Sequence, residues 1–176
     1  MAEPADAPFR IRRATVRDAP IILALMRGLA EYEGLSHEFH ATLPRLRRDG
    51  FGRHPHFQTL ICWRRRVPVG FALYLFTYST FLARPTLYLE DLYVQPESRG
   101  QGAGKALLAA VARIAVRKGC GRMEWTVLKV NTPAIRFYHR LGAGLRKEWI
   151  LTRLQGAPLH HLARRSPRRN RALIQE

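Results

Sequence analysis

Two features of this sequence have the residue types and spacing of a chemical site. The first is Arg99-Gly100-Gln101-Gly102-Ala103-Gly104-Lys105, set between an extended apolar run and an amphipathic segment. With no side chains at Gly100, Gly102 and Gly104, successive backbone N–H groups can close on an anion at the positive end of the following helix. Arg99 and Lys105 add charge, so the turn is suited to a pyrophosphate. Many strand-to-helix turns carry glycine only to reach positive φ, and the spacing therefore matters. Arg-x-x-Gly-x-Gly differs from the dinucleotide fingerprint Gly-x-Gly-x-x-Gly and lacks the Gly-Lys-Ser/Thr ending of a P-loop. A nucleotide cofactor other than NAD or a bare triphosphate is the expectation. The second feature is Glu90-Asp91, the one pair of adjacent acids in the chain. It interrupts an apolar strand-like run, where burying charge is costly unless a partner is served. A pairing with arginines at a strand end is the competing reading. In a period-2 strand the two acids point to opposite faces unless a bulge intervenes.

The elements that must position these groups follow from periodicity. Residues 9–13 alternate apolar and basic as a strand, and Thr15-Val16-Arg17-Asp18 is a capping-box start for a helix over about 18–32, with Ile22, Leu25, Met26 and Leu29 on one face. A weaker helix covers 43–49. Residues 57–63 and 69–78 are rich in strand formers and flank the basic turn 64–68, which predicts an antiparallel hairpin. A strand over 86–94 ends at Pro96. After the glycine turn, Leu107, Leu108, Val111, Ile114 and Ala115 mark a long helix stopping near Gly119. Residues 122–128 read as a strand, and Thr132-Pro133 starts a helix that ends at Gly142. The last elements are a strand over 149–154 and a short helix over 158–163. The order β-α-α-β-β-β-α-β-α-β is a mixed α/β plan around a strand, phosphate turn and helix.

Composition narrows the class. A chain of 176 residues, 47% hydrophobic, suits one compact domain. Residues 1–163 are expected to form it, leaving a basic tail over 164–176. The net charge of +17, from 30 Lys and Arg against 13 Asp and Glu, favours anionic partners. Cys62 and Cys120 lie far apart in apolar stretches and read as buried thiols in a reducing, cytoplasmic setting. Residues 1–8 lack a secretion pattern, and the uncharged run 67–83 is too short and polar to span a membrane. His54, His56, His160 and His161 lack the company of a zinc site, so no metal is expected. Trp63, Trp125 and Trp149 fall in predicted strands, as core or pocket wall.

With these pieces in order, the chain resembles the GNAT superfamily of acetyl-CoA-dependent N-acetyltransferases, whose loop pattern Gln/Arg-x-x-Gly-x-Gly/Ala is matched by Arg99, Gly102 and Gly104. It is similar to the spermidine/spermine (diamine) branch at Asp49-Gly50-Phe51-Gly52, Gly70-Phe71-Ala72-Leu73-Tyr74, Leu87-Tyr88-Leu89-Glu90-Asp91 and the block from Asn131 to Tyr138. The resemblance implies a mixed, mostly antiparallel sheet flanked by helices, with acetyl-CoA as cosubstrate. It implies that backbone groups along Leu92, Tyr93 and Val94 pair with the pantetheine arm and that Arg99, Gly100, Gln101, Gly102, Ala103, Gly104 and Lys105 wrap the pyrophosphate. Asn131, Thr132, Pro133 and Ala134 would lie along the same arm. Tyr138 would stand near the cofactor sulfur, and Tyr32, Glu33, Glu90, Asp91 and Glu148 would face the amine. A homodimer is implied as well.

The chemistry follows from charge. An alkyl amine of pKa ~10.4 is almost all ammonium at neutral pH, and only the neutral form attacks a thioester. Glu90 is the preferred proton acceptor, through water, while Glu31 and Glu33 bind a distant second amine. Tyr138 would hydrogen-bond the leaving thiolate, and an N–H after Asp91, freed by a bulge, would meet the oxyanion. Lys129-Val130 departs from the branch, which has an acid and a tryptophan there. A lysine facing the pocket repels a polycation or pairs with the carboxylate of a lysine-like acceptor; a solvated lysine does neither. A diamine or polyamine acceptor is the main expectation. A lysine-like amino acid or a protein lysine is the alternative, and a nucleic-acid-binding module acting through the basic tail the non-enzymatic one.

Overall fold

The computed structural model describes residues 9–164; of the basic tail expected over 164–176 only Arg164 is among them, and the rest of that tail and the segment before Phe9 lie outside the described residues. Contacts divide the chain into two compact units, the first ending at Thr126 and the second beginning at Val127.

The first unit is built on one five-stranded sheet in the order β1-β2-β3-β4-β5: β1 (Arg10–Arg13), β2 (Gln58–Arg64), β3 (Val67–Ser79), β4 (Arg84–Val94) and β5 (Arg122–Glu124). The first four pair antiparallel, and β5 runs parallel to β4. Between β1 and β2 come α1 (Ala19–Tyr32) and α2 (Leu43–Phe51); α3 (Ala103–Arg117) joins β4 to β5. Alternation puts Ile61, Phe71 and Leu73 on one face of the sheet, where Ile22, Leu25 and Leu46 of the first two helices cover them. Leu60, Ala72 and Tyr74, on the other face, are equally buried. Burial on both faces explains why β2 and β3 read as near-continuous apolar runs. Leu107, Val111 and Ala115 bury one stripe of α3, which packs on β3 and β4.

The expected capping box is formed around a short 3-10 turn, Val16–Asp18. Asp18 accepts two bonds from the Arg12 guanidinium (2.8 and 2.7 Å) and one each from the Thr15 N–H (2.7 Å) and hydroxyl (2.8 Å). These donors hold its carboxyl far below the ordinary carboxylate range. The stabilisation is present above the unfolded pKa of about 3.8 and is lost as pH falls through the depressed folded value. Asp18→Asn is expected to lose about 2–3 kcal/mol at pH 7, because it leaves Arg12 and Thr15 donors without a charged acceptor in a site whose acid is 8% exposed. Thermal unfolding at pH 7 and pH 3 measures this, with the gap between variant and wild type narrowing at the lower pH.

Three expectations need correction. The 64–68 turn is tighter than predicted, since Arg64 pairs with Val67 and only Arg65 and Arg66 form the loop. The strand expected over 122–128 stops at Glu124, opposite Tyr88. A bulge bends β4 two residues later and carries its edge away from a straight partner. Residues 149–154 form no strand: their propensity suits a sheet, but no ladder among the described residues includes them, and Trp149 is 71% exposed. Trp125 likewise lies outside any strand. Of the two thiols, Cys62 is buried and Cys120 half-buried.

In the second unit, α4 (Thr132–Arg140) and α5 (Gly156–Arg164) match the predicted helices to within a few residues.

Candidate functional site

The glycine turn is shaped for an anion. A short 3-10 turn, Pro96–Ser98, leads from β4 to Arg99, and the chain then passes through Gly100 at φ 72° and Gly102 at φ 96° before α3 begins at Ala103. A Cβ at Gly100 or Gly102 would meet nothing within 4 Å, so the space over the turn is open. The backbone N–H groups of Ala103, Gly104 and Lys105 are first-turn donors with no partner inside the helix. Gln101 braces the turn, donating from Nε2 to the Glu97 carbonyl (3.0 Å). Arg99 braces it from the other side: Nε donates to the Val94 carbonyl (2.8 Å), and the guanidinium stacks 3.9 Å over the Tyr32 ring and 5.6 Å from that of Tyr93. Tyr32, at the last turn of α1, is thus brought to the glycine turn, a contact that no spacing in the sequence signals.

The acid pair sits on a β-bulge. Leu73 pairs with Asp91 while Tyr74 pairs with Leu89, so Glu90 is the extra residue on β4. Glu90 is exposed; Asp91 is half-buried, two residues from the buried Tyr93 on the face covered by α1. Glu33, the C-cap of α1, completes the cluster. Desolvation first, then the charges of Glu90 and Glu33, push the Asp91 carboxyl up to about 7. Burial also raises the Glu33 carboxyl. Glu90 is the proton acceptor expected from the sequence; the bulge leaves it at the surface and turns Asp91 inward. Beyond Tyr88 no strand among the described residues pairs with the outer edge of β4, leaving backbone groups along Leu92 and Val94 available to an extended ligand. Arg99 already occupies one lone pair of the Val94 carbonyl.

In the second unit, Asn131 caps α4, its Oδ1 accepting from the Ala134 N–H (3.2 Å) with Thr132 and Pro133 in the first turn. Tyr138 lies on the last turn, its ring 5.3 Å from that of Phe137. Glu148 is ion-paired with Arg146, so the sequence-predicted acceptor contact carries its own cation. Val130 is 84% exposed. Among the described residues no group of three His, Cys, Asp or Glu could hold a metal ion, and no helix is long and apolar enough to cross a membrane.

An anion cradle, an acid cluster and an open strand edge together suit transfer from a phosphorylated donor to a cationic acceptor. Comparison with known proteins bears on that chemistry. Residues 23–143 match the model of the acetyltransferase (GNAT) family. The chain is 39% identical to mouse (Mus musculus) thialysine N-epsilon-acetyltransferase over 90% of its own length and 99% of that protein's. It is 33% identical to an L-ornithine N5-acetyltransferase of Arabidopsis thaliana, covering 85% of this chain and 86% of that one. Among solved structures, an integron cassette protein from the mobile metagenome of V. cholerae superposes with a TM-score of 0.76 at 25% identity, over 89% of this chain and 98% of the other.

Proposed function

Because the chain belongs to the GNAT acetyltransferase family, acting on amines, we propose that it moves an acetyl group from acetyl-CoA to the terminal side-chain amine of a lysine-like amino acid such as thialysine, lysine or ornithine. The observation that carries the acceptor chemistry is the cluster of Glu33, Glu90 and Asp91, which suits an ammonium group. The amino-acid class is supported by the named activities of the mouse and Arabidopsis relatives, and it replaces a polyamine as the leading reading. A diamine or polyamine is the second reading, favoured by three acids where one ammonium needs fewer. A cytoplasmic homodimer belongs to the same proposal.

The glycine turn fits the cosubstrate: the open space over Gly100 and Gly102 and the first N–H groups of α3 suit a pyrophosphate, and the free β4 edge suits the amides of a pantetheine arm. Acetyl-CoA supplies the thioester carbonyl. Asp91, poised near neutrality, takes the ammonium proton, directly or through water held beside the exposed Glu90. A backbone N–H released by the bulge is a donor for the oxyanion. The family resemblance implies that Tyr138 hydrogen-bonds the departing thiolate.

Acetyl-CoA-dependent thiol release across thialysine, lysine, ornithine, putrescine, spermidine, spermine and a basic peptide tests the reading. The amino acids are expected to exceed the polyamines at least about tenfold in kcat/KM, a difference of about 1.4 kcal/mol. Higher turnover on spermidine would promote the second reading, and release with none of the panel would overturn both.

A further inference from the structure

The hairpin turn between β2 and β3 holds Arg64, Arg65 and Arg66 in succession, all exposed. Arg65 has φ 56°, in a two-residue loop whose positive-φ position is normally filled by glycine or asparagine. That conformation costs an L-residue about 1–2 kcal/mol. Arg10 pairs with Trp63, the residue before Arg64, so a fourth exposed arginine stands at the same end of the sheet. Among the described residues none of these four is ion-paired with a carboxylate, whereas Arg12, Arg48, Arg122 and Arg146 are. Fold stability does not account for a strained turn of unpaired like charges.

The register places this turn at the phosphate-binding end of the first unit. Gly70 pairs with Val94, and the Gln95 N–H donates to the Val69 carbonyl (2.9 Å), so β3 begins where β4 runs out toward Arg99. Across the sheet the turn lies one to two strand spacings from β4, about 5–10 Å, and along it Arg66 stands four residues beyond Gly70, about 13 Å past the level of Val94. That distance exceeds the Debye length of about 8 Å at physiological salt and lies well within the roughly 30 Å at 0.01 M, so the field of the turn joins that of Arg99 and Lys105 chiefly at low salt. The opposite end of the sheet offers a contrast. Arg113, Arg117 and Lys118, also exposed, lie at the end of α3, where Arg117 acts on Tyr74 opposite Gln58.

We propose that the Arg64–Arg66 turn, with Arg10, is an electrostatic receiving surface for acetyl-CoA, drawing the polyphosphorylated cosubstrate to the glycine turn. It acts on encounter: the turn raises the association rate and leaves dissociation unchanged. The inference rests on acetyl-CoA as the cosubstrate.

The test is stopped-flow binding of acetyl-CoA, without acceptor, to the full chain at salt from about 20 to 500 mM. The combined Arg64→Gln, Arg65→Gln, Arg66→Gln variant is expected to lose about tenfold in association rate at low salt, to meet wild type at high salt and to show a shallower salt slope. Arg113→Gln, Arg117→Gln, Lys118→Gln removes the same net charge from the far end and is expected to lose twofold or less. Arg65→Gly keeps the proposal separable from folding: it relieves the backbone, so thermal stability rises while association still slows. Equal losses in the two triple variants would overturn the proposal in favour of net charge alone. An unchanged rate in the turn variant would overturn it too, and if that variant instead loses affinity for a single-stranded RNA oligonucleotide, the turn serves nucleic acid. Wild type that binds no acetyl-CoA would sink the cosubstrate reading itself, a result distinct from either.

Discussion

Asp91→Asn is expected to lower kcat/KM for the amine acceptor about 10²-fold at pH 7.5, the scale on which a positioned general base contributes. The wild-type pH profile of kcat/KM should rise through an apparent pKa near 7, matching the raised carboxyl, and the variant should lose that limb. Glu90→Gln gives a different signature. Because the Glu90 charge is one of the causes that raise Asp91, its removal should move the limb to lower pH. If Asp91→Asn retains both rate and limb while Glu90→Gln abolishes turnover, the proton passes through Glu90 alone. Stability provides a second readout. A carboxyl whose folded pKa lies above its unfolded value stabilises most fully when protonated, below about pH 4, and that contribution is lost as pH rises through 7. Asp91→Asn should therefore be more stable than wild type at pH 8 by about 2 kcal/mol, taking half of the roughly 4 kcal/mol that three pKa units represent to allow for solvent screening. At pH 4 the two should be alike.

Gly102→Val is expected to weaken acetyl-CoA binding at least about 10²-fold, close to 3 kcal/mol. Two effects act together. The φ of 96° at the N-cap of α3 is closed to a β-branched residue, so the turn must change shape and its N–H groups lose their common focus. The added side chain also projects into the open space over the turn. Titration calorimetry measures the affinity, and a thermal melt of the same preparation separates loss of the cradle from loss of the fold. Wild-type affinity in a folded variant would remove this turn from the binding site.

Much of this protein is legible in its residues one stretch at a time. Helix and strand periods placed α1, α2, α3 and α4 within a few residues, because one apolar stripe per helix is enough to mark a buried face. The glycine turn was legible because only glycine reaches φ 72° and 96° without strain while leaving backbone N–H groups bare. The motif blocks likewise identified the family that the full-length comparison shows. The acceptor class was less legible: acids indicate that a cation binds, and nothing in their spacing distinguishes an amino acid from a polyamine.

Other properties depend on partners distant in sequence and came only with the tertiary structure. Residues 149–154 have strand composition but no strand, because a ladder needs a second edge as well as propensity. Asp91 and Glu90 are chemically near-equivalent neighbours until the one-residue slip between Leu73 and Tyr74 sets one half-buried and the other exposed. Glu33, 58 positions earlier by the numbering, acts on Asp91 only because α1 ends beside the bulge. Tyr32 meets Arg99, and the arginine turn shares an end of the sheet with the glycine turn, for the same reason: antiparallel pairing sets register across long loops. Sequence determined which local conformations and charges were available; packing decided which were desolvated and which stood together, because desolvation and Coulomb energy depend on distance in space rather than separation along the chain.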